Sequence, residues 1–152
     1  MMTVFCLPAA AQTAQLAFGT VRQDTALPVE MDADSLRVDQ STGTAVFTGN
    51  VHIKQGVMQL DAQEVLVIYR STEEGIERLE ATGGVTLTSG QDTANAQRAD
   101  YDIDAGTLIL TGDVAFAQGS ATLSAQRMTI RLNDGTAEMT GRVKTTLTTG
   151  GN

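Results

Sequence analysis

At 152 residues the chain is one domain's worth, enough to bury a core of ordinary size. Its 15 Gly, 2 Pro, absent Trp and lack of any long stretch with apolar residues at helical spacing exclude a helical fold and point to an all-β one. A formal charge of −8 argues against nucleic acid or an anionic membrane surface as a partner, because both are held chiefly by Lys and Arg, and no apolar run is long enough to span a bilayer.

Residues 1–26 read as a leader. Met1 to Ala11 is apolar and rich in small residues, and Pro8-Ala9-Ala10-Ala11-Gln12 resembles the end of a secretory signal that lacks its basic start. Cys6, the only cysteine, lies inside it, so a processed chain carries none and needs no disulfide in an oxidising compartment. Thr3 stands where a lipid-anchor signal would carry Leu. Gln12 to Ala26 is polar and patternless, which predicts a flexible segment. The folded domain is expected over residues 27–149, with 150–152 a frayed end.

Pro28-Val29-Glu30-Met31 alternates as an edge strand does, and Leu36 and Val38 alternate with Ser35, Arg37 and Asp39 before Gln40-Ser41-Thr42-Gly43 turns the chain. The next strand opens a motif that returns. Thr48-Gly49-Asn50-Val51 is followed by Thr82-Gly83-Gly84-Val85, Thr111-Gly112-Asp113-Val114 and Thr140-Gly141-Arg142-Val143, at intervals of 34, 29 and 29 residues. Gln55-Gly56, Ser89-Gly90 and Gln118-Gly119 keep one distance from the valine, and Ala62-Gln63, Ala96-Gln97 and Ala125-Gln126 keep another. Such self-similarity marks a repeat in which each unit buries a face against the next.

Parity places Ala45, Phe47, Gly49, Val51 and Ile53 on one face, and Thr44, Thr48, Asn50, His52 and Lys54 on the other, with Val46 the exception. Later strands repeat this, through Leu87 in one copy and Leu110 and Phe116 in the next, with the glycine on the apolar face each time. A glycine recurring inside a strand predicts a corner. Ala62 to Val65, Ala96 to Ala99, Ala125 to Met128 and Ala33 to Leu36 are apolar steps of three, which period two accommodates only with a bulge. Turns are expected at Asp104-Ala105-Gly106 and Asn133-Asp134-Gly135, and a polar loop at Arg70 to Gly75. The chain is thus expected to be a partly open antiparallel β-sheet of bent-hairpin units, each of ~29 residues.

Signals of catalysis are nearly empty. His52 is the only histidine and falls on the polar face, with no second His or Cys to build a metal site or nucleophile relay. The glycines form no phosphate loop, and the carboxylates show no calcium-loop spacing. No catalytic residue, metal or cofactor is expected. The apolar face reads either as a sandwich core or as a groove for lipid, which two bent sheets with unclosed edges would leave.

Phe47-Thr48-Gly49-Asn50-Val51, Gln55-Gly56, Leu60 with Ala62, and Leu110-Thr111-Gly112-Asp113 resemble the OstA-like family, over about Pro28 to Leu147. The resemblance implies a V-shaped β-jellyroll in the periplasm whose trough shelters the lipid A acyl chains of lipopolysaccharide. Family trough positions fall on Val29, Met31, Leu87, Tyr101 and Ile103, and the same apolar face adds Leu36, Val38, Phe47, Val51, Ile53, Leu110 and Phe116. The resemblance also implies docking to an inner-membrane OstA-like component at the N-terminal edge and to an outer-membrane translocon at the C-terminal edge. Both edges look uncapped: Val29 and Met31 at one end, and Val143, Thr145 and Leu147 at the other, are expected to mediate head-to-tail self-association. A structural β-solenoid that assembles without lipid, or a sister component of the same transport system, is the alternative.

Overall fold

The computed structural model describes residues 14–17, 25–71 and 75–148. The export-signal expectation, the tip of the Arg70–Gly75 loop and the frayed end lie outside them. Eleven strands follow in chain order: β1 (Ala14–Ala17), β2 (Glu30–Asp32), β3 (Ser35–Asp39), β4 (Thr44–Gln55), β5 (Met58–Tyr69), β6 (Ile76–Ser89), β7 (Asp92–Asp102), β8 (Thr107–Gln118), β9 (Ala121–Arg131), β10 (Thr136–Thr140) and β11 (Lys144–Leu147), and no helix occurs among the described residues. They build one antiparallel sheet in the order β1-β10-β9-β8-β7-β6-β5-β4-β2, with β3 also on β4 and β11 also on β9. The turns fall where Asp, Asn and Gly cluster, with Gly106 at φ +63° and Gly135 at φ +69°. At the second, the hydroxyl and amide of Thr136 donate to Asp134 Oδ1 at 2.7 and 3.2 Å and lower that carboxyl's pKa.

The corner is a line of bulges. Between the pairs Thr48↔Glu64 and Val51↔Ala62, two residues, Gly49 and Asn50, stand opposite one, Gln63. The skip recurs on every later pairing from β5·β6 to β8·β9, at Asp61/Glu64, Thr82/Val85, Asn95/Arg98 and Thr111/Val114. The glycine corners and the three-residue steps are therefore the two sides of one crease. Gly49, Gly83, Gly112 and Gly141 all sit at φ +84°, and the residue after each is left-handed too: Asn50 (+47°), Gly84 (+90°), Asp113 (+46°) and Arg142 (+52°). Parity expected these glycines on the apolar face, and the bulge corrects that. A Cβ on Gly83 would lie 2.8 Å from the Cβ of the exposed Gln63, so the glycine is turned towards its neighbour's polar side chain.

The crease folds the sheet into two arms. In each arm, alternate side chains point at the other arm, and the interior they fill includes Val65, Leu87, Leu108, Leu110, Val114, Met128 and Ile130, all at 0% exposure. This gives the partly open jellyroll that the family resemblance implies, built from the bent hairpins that the repeats predict. β4 is covered by β2 on one arm and β3 on the other, the two separated at Ala33-Asp34; β9 is covered likewise by β11 and β10, separated at Gly141-Arg142-Val143.

The structure departs from the expectation of two bare edges. β1, inside the segment read as flexible, pairs with β10 from Ala14↔Met139 to Ala17↔Thr136. The C-terminal edge is therefore covered along β10 and open along β11. A four-residue strand with no alternation of its own carries no sequence signal, because the ladder it completes is made by backbone groups.

Candidate functional site: the interior between the arms

The candidate site is the space between the arms. Val51, Ile53, Leu87, Tyr101, Leu110 and Phe116 are buried in it, while Val29, Met31, Phe47 and Ile103 are half-buried and pack against them. Leu36 and Val38 do not join this cluster. They face the same side as Phe47 and Ala45, their partners on β4, yet are 55% and 58% exposed, because β3 is the edge of its arm and β2 covers only the other arm. At the opposite end Val143, Thr145 and Leu147 are exposed, Leu147 at 67%.

The interior is not open along its whole length. Along the middle strands the arms meet side chain to side chain, and apolar surface is open only towards the ends. The physical reason is that two aliphatic faces free to approach exclude water from each other, at about 25 cal/mol per Å² buried. The apolar stripe of a packed core and that of an open trough have the same period.

Polar groups gather at the mouth, the side away from the crease. Gln55 ends β4 on one arm and is 1% exposed; Tyr101 lies on β7 in the other and is 5% exposed. The Tyr101 hydroxyl donates to Gln55 Oε1 at 2.7 Å, and Gln55 Nε2 donates to the carbonyls of Thr25 (3.1 Å) and Leu27 (2.9 Å). Burial pushes the Tyr101 hydroxyl up to about 12. Further along the lip, Gln118 Nε2 donates to the buried Asp92 at 3.3 Å, and the buried Ser89 hydroxyl has no hydrogen-bond partner. In the sequence Gln55-Gly56, Ser89-Gly90 and Gln118-Gly119 stand out only as landmarks of the repeat. Their fixed spacing was the available signal that the residue before each glycine belongs to a polar lip.

The outer faces carry the charge. Arg98 donates to both oxygens of Asp100 at 3.0 and 2.8 Å and stands 3.5 Å from Glu80, which Arg78 approaches at 3.7 Å; the Asp100 bonds hold the Arg98 guanidinium above its ordinary pKa. His52 meets its cross-strand partner Asp61 at 2.5 Å, and both are exposed or half-exposed. Among the described residues no three His, Cys, Asp or Glu side chains converge on a metal-sized site, and no helix is long and apolar enough to cross a membrane. The interior is thus an aliphatic cluster with a hydrogen-bonded mouth.

The family model described as LptA/(LptD N-terminal domain) LPS transport protein matches residues 30–136 and 93–150. The chain belongs to this family. Within this lipopolysaccharide-transport family, it is 32% identical over 63 residues to the lipopolysaccharide export system protein LptA of Escherichia coli K12, covering 41% of this chain and 34% of LptA. It is 34% identical over 73 residues to the LPS-assembly protein LptD of Aeromonas hydrophila, covering 48% of this chain and 8% of LptD. It is also 29% identical over 90 residues to an uncharacterized protein of Rhizobium meliloti, covering 55% of this chain and 48% of that one. The matched stretch thus spans less than half the length of each of these relatives. The fold matches that of LptH, the LptA-homologous periplasmic component of lipopolysaccharide transport in Pseudomonas aeruginosa, with a TM-score of 0.71 at 16% identity, over 82% of this chain and 98% of LptH.

Proposed function

We propose that the chain is a periplasmic carrier that holds the acyl chains of lipopolysaccharide between its arms and hands them on, end to end, as one link of a bridge between the membranes. The observation that carries this reading is that the apolar face buried in the middle, at Leu87 and Leu110, is continued at both ends by exposed apolar residues, Leu36 and Val38 at one and Leu147 at the other. An interior serving stability alone has no need of apolar residues continuing into solvent at both edges. Spreading the arms costs packing contacts, and each acyl methylene group taken in returns about 0.8 kcal/mol. Family membership supports lipopolysaccharide as the cargo, and the likeness to LptH, itself a periplasmic component, supports the periplasm.

The edges support the partners. β2 and β3 offer the inner-membrane component an unpaired ladder beside Val29 and Met31, and β11 offers one to the outer-membrane translocon beside Val143, Thr145 and Leu147. A second copy fits the same edges head to tail. The test is a photo-reactive residue at Leu36 or Ile103, with Thr86 on the outer face as control, in the full chain expressed in a lipopolysaccharide-producing host. Adducts with lipopolysaccharide are expected at the first two positions only. Adducts at none, with the protein folded, would overturn the reading and leave a scaffold that assembles without lipid.

A further inference from the structure

The two halves of the C-terminal edge are in different states: among the described residues β10 is covered by β1, while β11 has no strand beyond it. What an end-to-end neighbour would place on each follows from the repeat. Thr140-Gly141-Arg142-Val143 is the last copy of Thr48-Gly49-Asn50-Val51. On the first copy β3 pairs Ser35 with Thr48, Leu36 with Phe47 and Arg37 with Val46, while β2 pairs Asp32 with His52 and Met31 with Ile53. Carried onto the last copy, the β3 of a second molecule sets Leu36 opposite Met139, Arg37 opposite Glu138 and Val38 opposite Ala137. Its β2 sets Asp32 opposite Lys144 and Met31 opposite Thr145. On both arms the apolar residues of the incoming strands then fall on the inward face, with the buried Met139 and Ala137 and beside Thr145, the partner of Leu123. The charged residues fall on the outer faces as opposite pairs, with the cation on the incoming strand in one arm and the anion on the incoming strand in the other.

β1 already sits in this seat. It pairs Ala14 with Met139, Gln15 with Glu138 and Leu16 with Ala137, antiparallel to β10, which is the direction and register that the second molecule's β3 takes with Leu36, Arg37 and Val38. β10 has two sides, and β9 holds the other, so β1 and an incoming β3 exclude each other. We propose that β1 is a built-in cap that stands in for the β3 of a second copy, so that joining two copies is a strand exchange in which β3 displaces β1 from β10. This rests on the end-to-end reading for the partner, but not for the cap. The order of events follows from which seat is open. β2 of the incoming copy meets the uncovered β11 first, Asp32 against Lys144, and because β2 and β3 are fixed to the same strand β4, seating one brings the other against β1. β3 then puts the cation Arg37 opposite Glu138, where β1 has the neutral Gln15, and carries Leu36 and Val38, exposed in the single molecule, onto the interior face. β1 belongs to the same chain as β10 and so competes at a high effective concentration, which a dilute second copy overcomes only once β11 has engaged it. The cap thus keeps half of the edge from pairing with stray strands and admits one that arrives with β2 beside it.

The experiment uses the full chain carrying Cys6→Ser, alone and with Ala17→Cys and Thr136→Cys, an opposed pair on β1 and β10 whose disulfide pins the cap in place. In sedimentation velocity the reduced form should associate with rising concentration as the Cys6→Ser chain does, while the oxidised form stays monomeric over the same range. Arg37→Glu should raise the concentration needed for association about fivefold, by setting two carboxylates opposite each other, and adding Glu138→Arg should restore it. Amide hydrogen exchange on the monomer reads the cap without a second copy. Deleting residues 14–17 should speed exchange of every second amide of β10, those turned away from β9, by at least about tenfold, while β8 stays protected. Equal exchange with and without residues 14–17 would overturn the cap. Association of the oxidised form equal to that of the reduced one would overturn the strand exchange, and failure of Glu138→Arg to rescue Arg37→Glu would overturn β3 as the incoming strand. Absence of association in every form would overturn the end-to-end reading and the exchange with it, and the amide result alone would then decide the cap.

Discussion

Gly112 lies against the side chain of Gln97 so closely that a Cβ on the glycine would stand 2.6 Å from Gln97 Oε1 and 2.8 Å from its Cβ. The same fit joins Gly83 to Gln63, Gly141 to Gln126, and Gly49 to Asp34, each pair bridging neighbouring strands at the crease. It explains why Ala-Gln or Ala-Asp recurs ahead of each Thr-Gly, with the alanine 15 residues before the threonine in three copies and 20 before it in the copy that carries the longer Arg70–Gly75 loop. Position and conformation both demand glycine there, since φ +84° is strained for any other residue.

Substitution at the crease should therefore separate two effects. Gly112→Ala meets both the strain and the clash and should lower the unfolding free energy by about 2–4 kcal/mol, and Gly112→Val by more. Gly84→Asn should change it by less than about 1 kcal/mol, because a Cβ there meets nothing within 4 Å and Asn50 already holds the equivalent place in the first copy. Val46→Thr on the outer face is the neutral comparison. Urea unfolding of the four proteins checks the order, and equal losses for Gly112→Ala and Gly84→Asn would contradict the account.

Burial decides how carboxylates are tolerated inside. Leu87 is 0% exposed between the arms, so Leu87→Asp buries a carboxylate with no partner, costs several kcal/mol, on the order of the domain's whole stability, and should leave an unfolded chain. Ile103 is half-buried at the mouth, where an aspartate can turn to water. Ile103→Asp should fold with a midpoint lowered by a few degrees and lose lipopolysaccharide on purification. Circular dichroism and lipid analysis of the two variants check this; a folded Leu87→Asp would mean that the arms stand apart in solution.

Alkaline titration should read the mouth. The folded pKa of Tyr101, about 12, lies above the ordinary tyrosine value, so its protonated form contributes stability that is complete below about pH 10 and lost as pH rises through about 12. The loss is on the order of 2 kcal/mol. Ionisation also removes the proton that Tyr101 donates to Gln55, so this bond between the arms is lost in the same window. Tyr101→Phe should abolish this part of the pH dependence, measured by denaturant unfolding at fixed pH values from 8 to 12, which the span from below the ordinary value to the shifted one sets. An identical alkaline slope in parent and variant would show that Tyr101 is exposed in solution.

The two halves of the C-terminal edge should behave differently. Removing Arg142 to Asn152 deletes β11 and should leave a folded protein that no longer associates with rising concentration. Deleting residues 14–17 uncovers β10 and should strengthen association, because a longer unpaired ladder is then offered. Sedimentation velocity over a wide concentration range distinguishes the three forms. Association that survives loss of β11 would place the joint elsewhere.

Much of the architecture was legible in local order. Thr-Gly-X-Val at its regular spacing, the three-residue steps after Ala33, Ala62, Ala96 and Ala125, and the Asp-Ala-Gly and Asn-Asp-Gly turns each reflect a constraint within a few residues: which face a side chain takes, where φ must be positive, where the ladder skips. These determine an all-β array of bent hairpins, and they put Val51, Leu87, Leu110 and Phe116 on one face. Whether that face is open or packed was not written there, because the aliphatic period is the same for both; it was decided by how near the two arms come. Leu36 and Val38 carry the same alternation as Leu108 and Leu110, yet one pair is exposed and the other buried, since exposure depends on having a strand opposite. The Gln55–Tyr101 bond joins residues 46 apart in the chain, and β1 reaches β10 from the far end of the sequence. Contacts of that range leave no local period, and only the closing of the two arms brings them about.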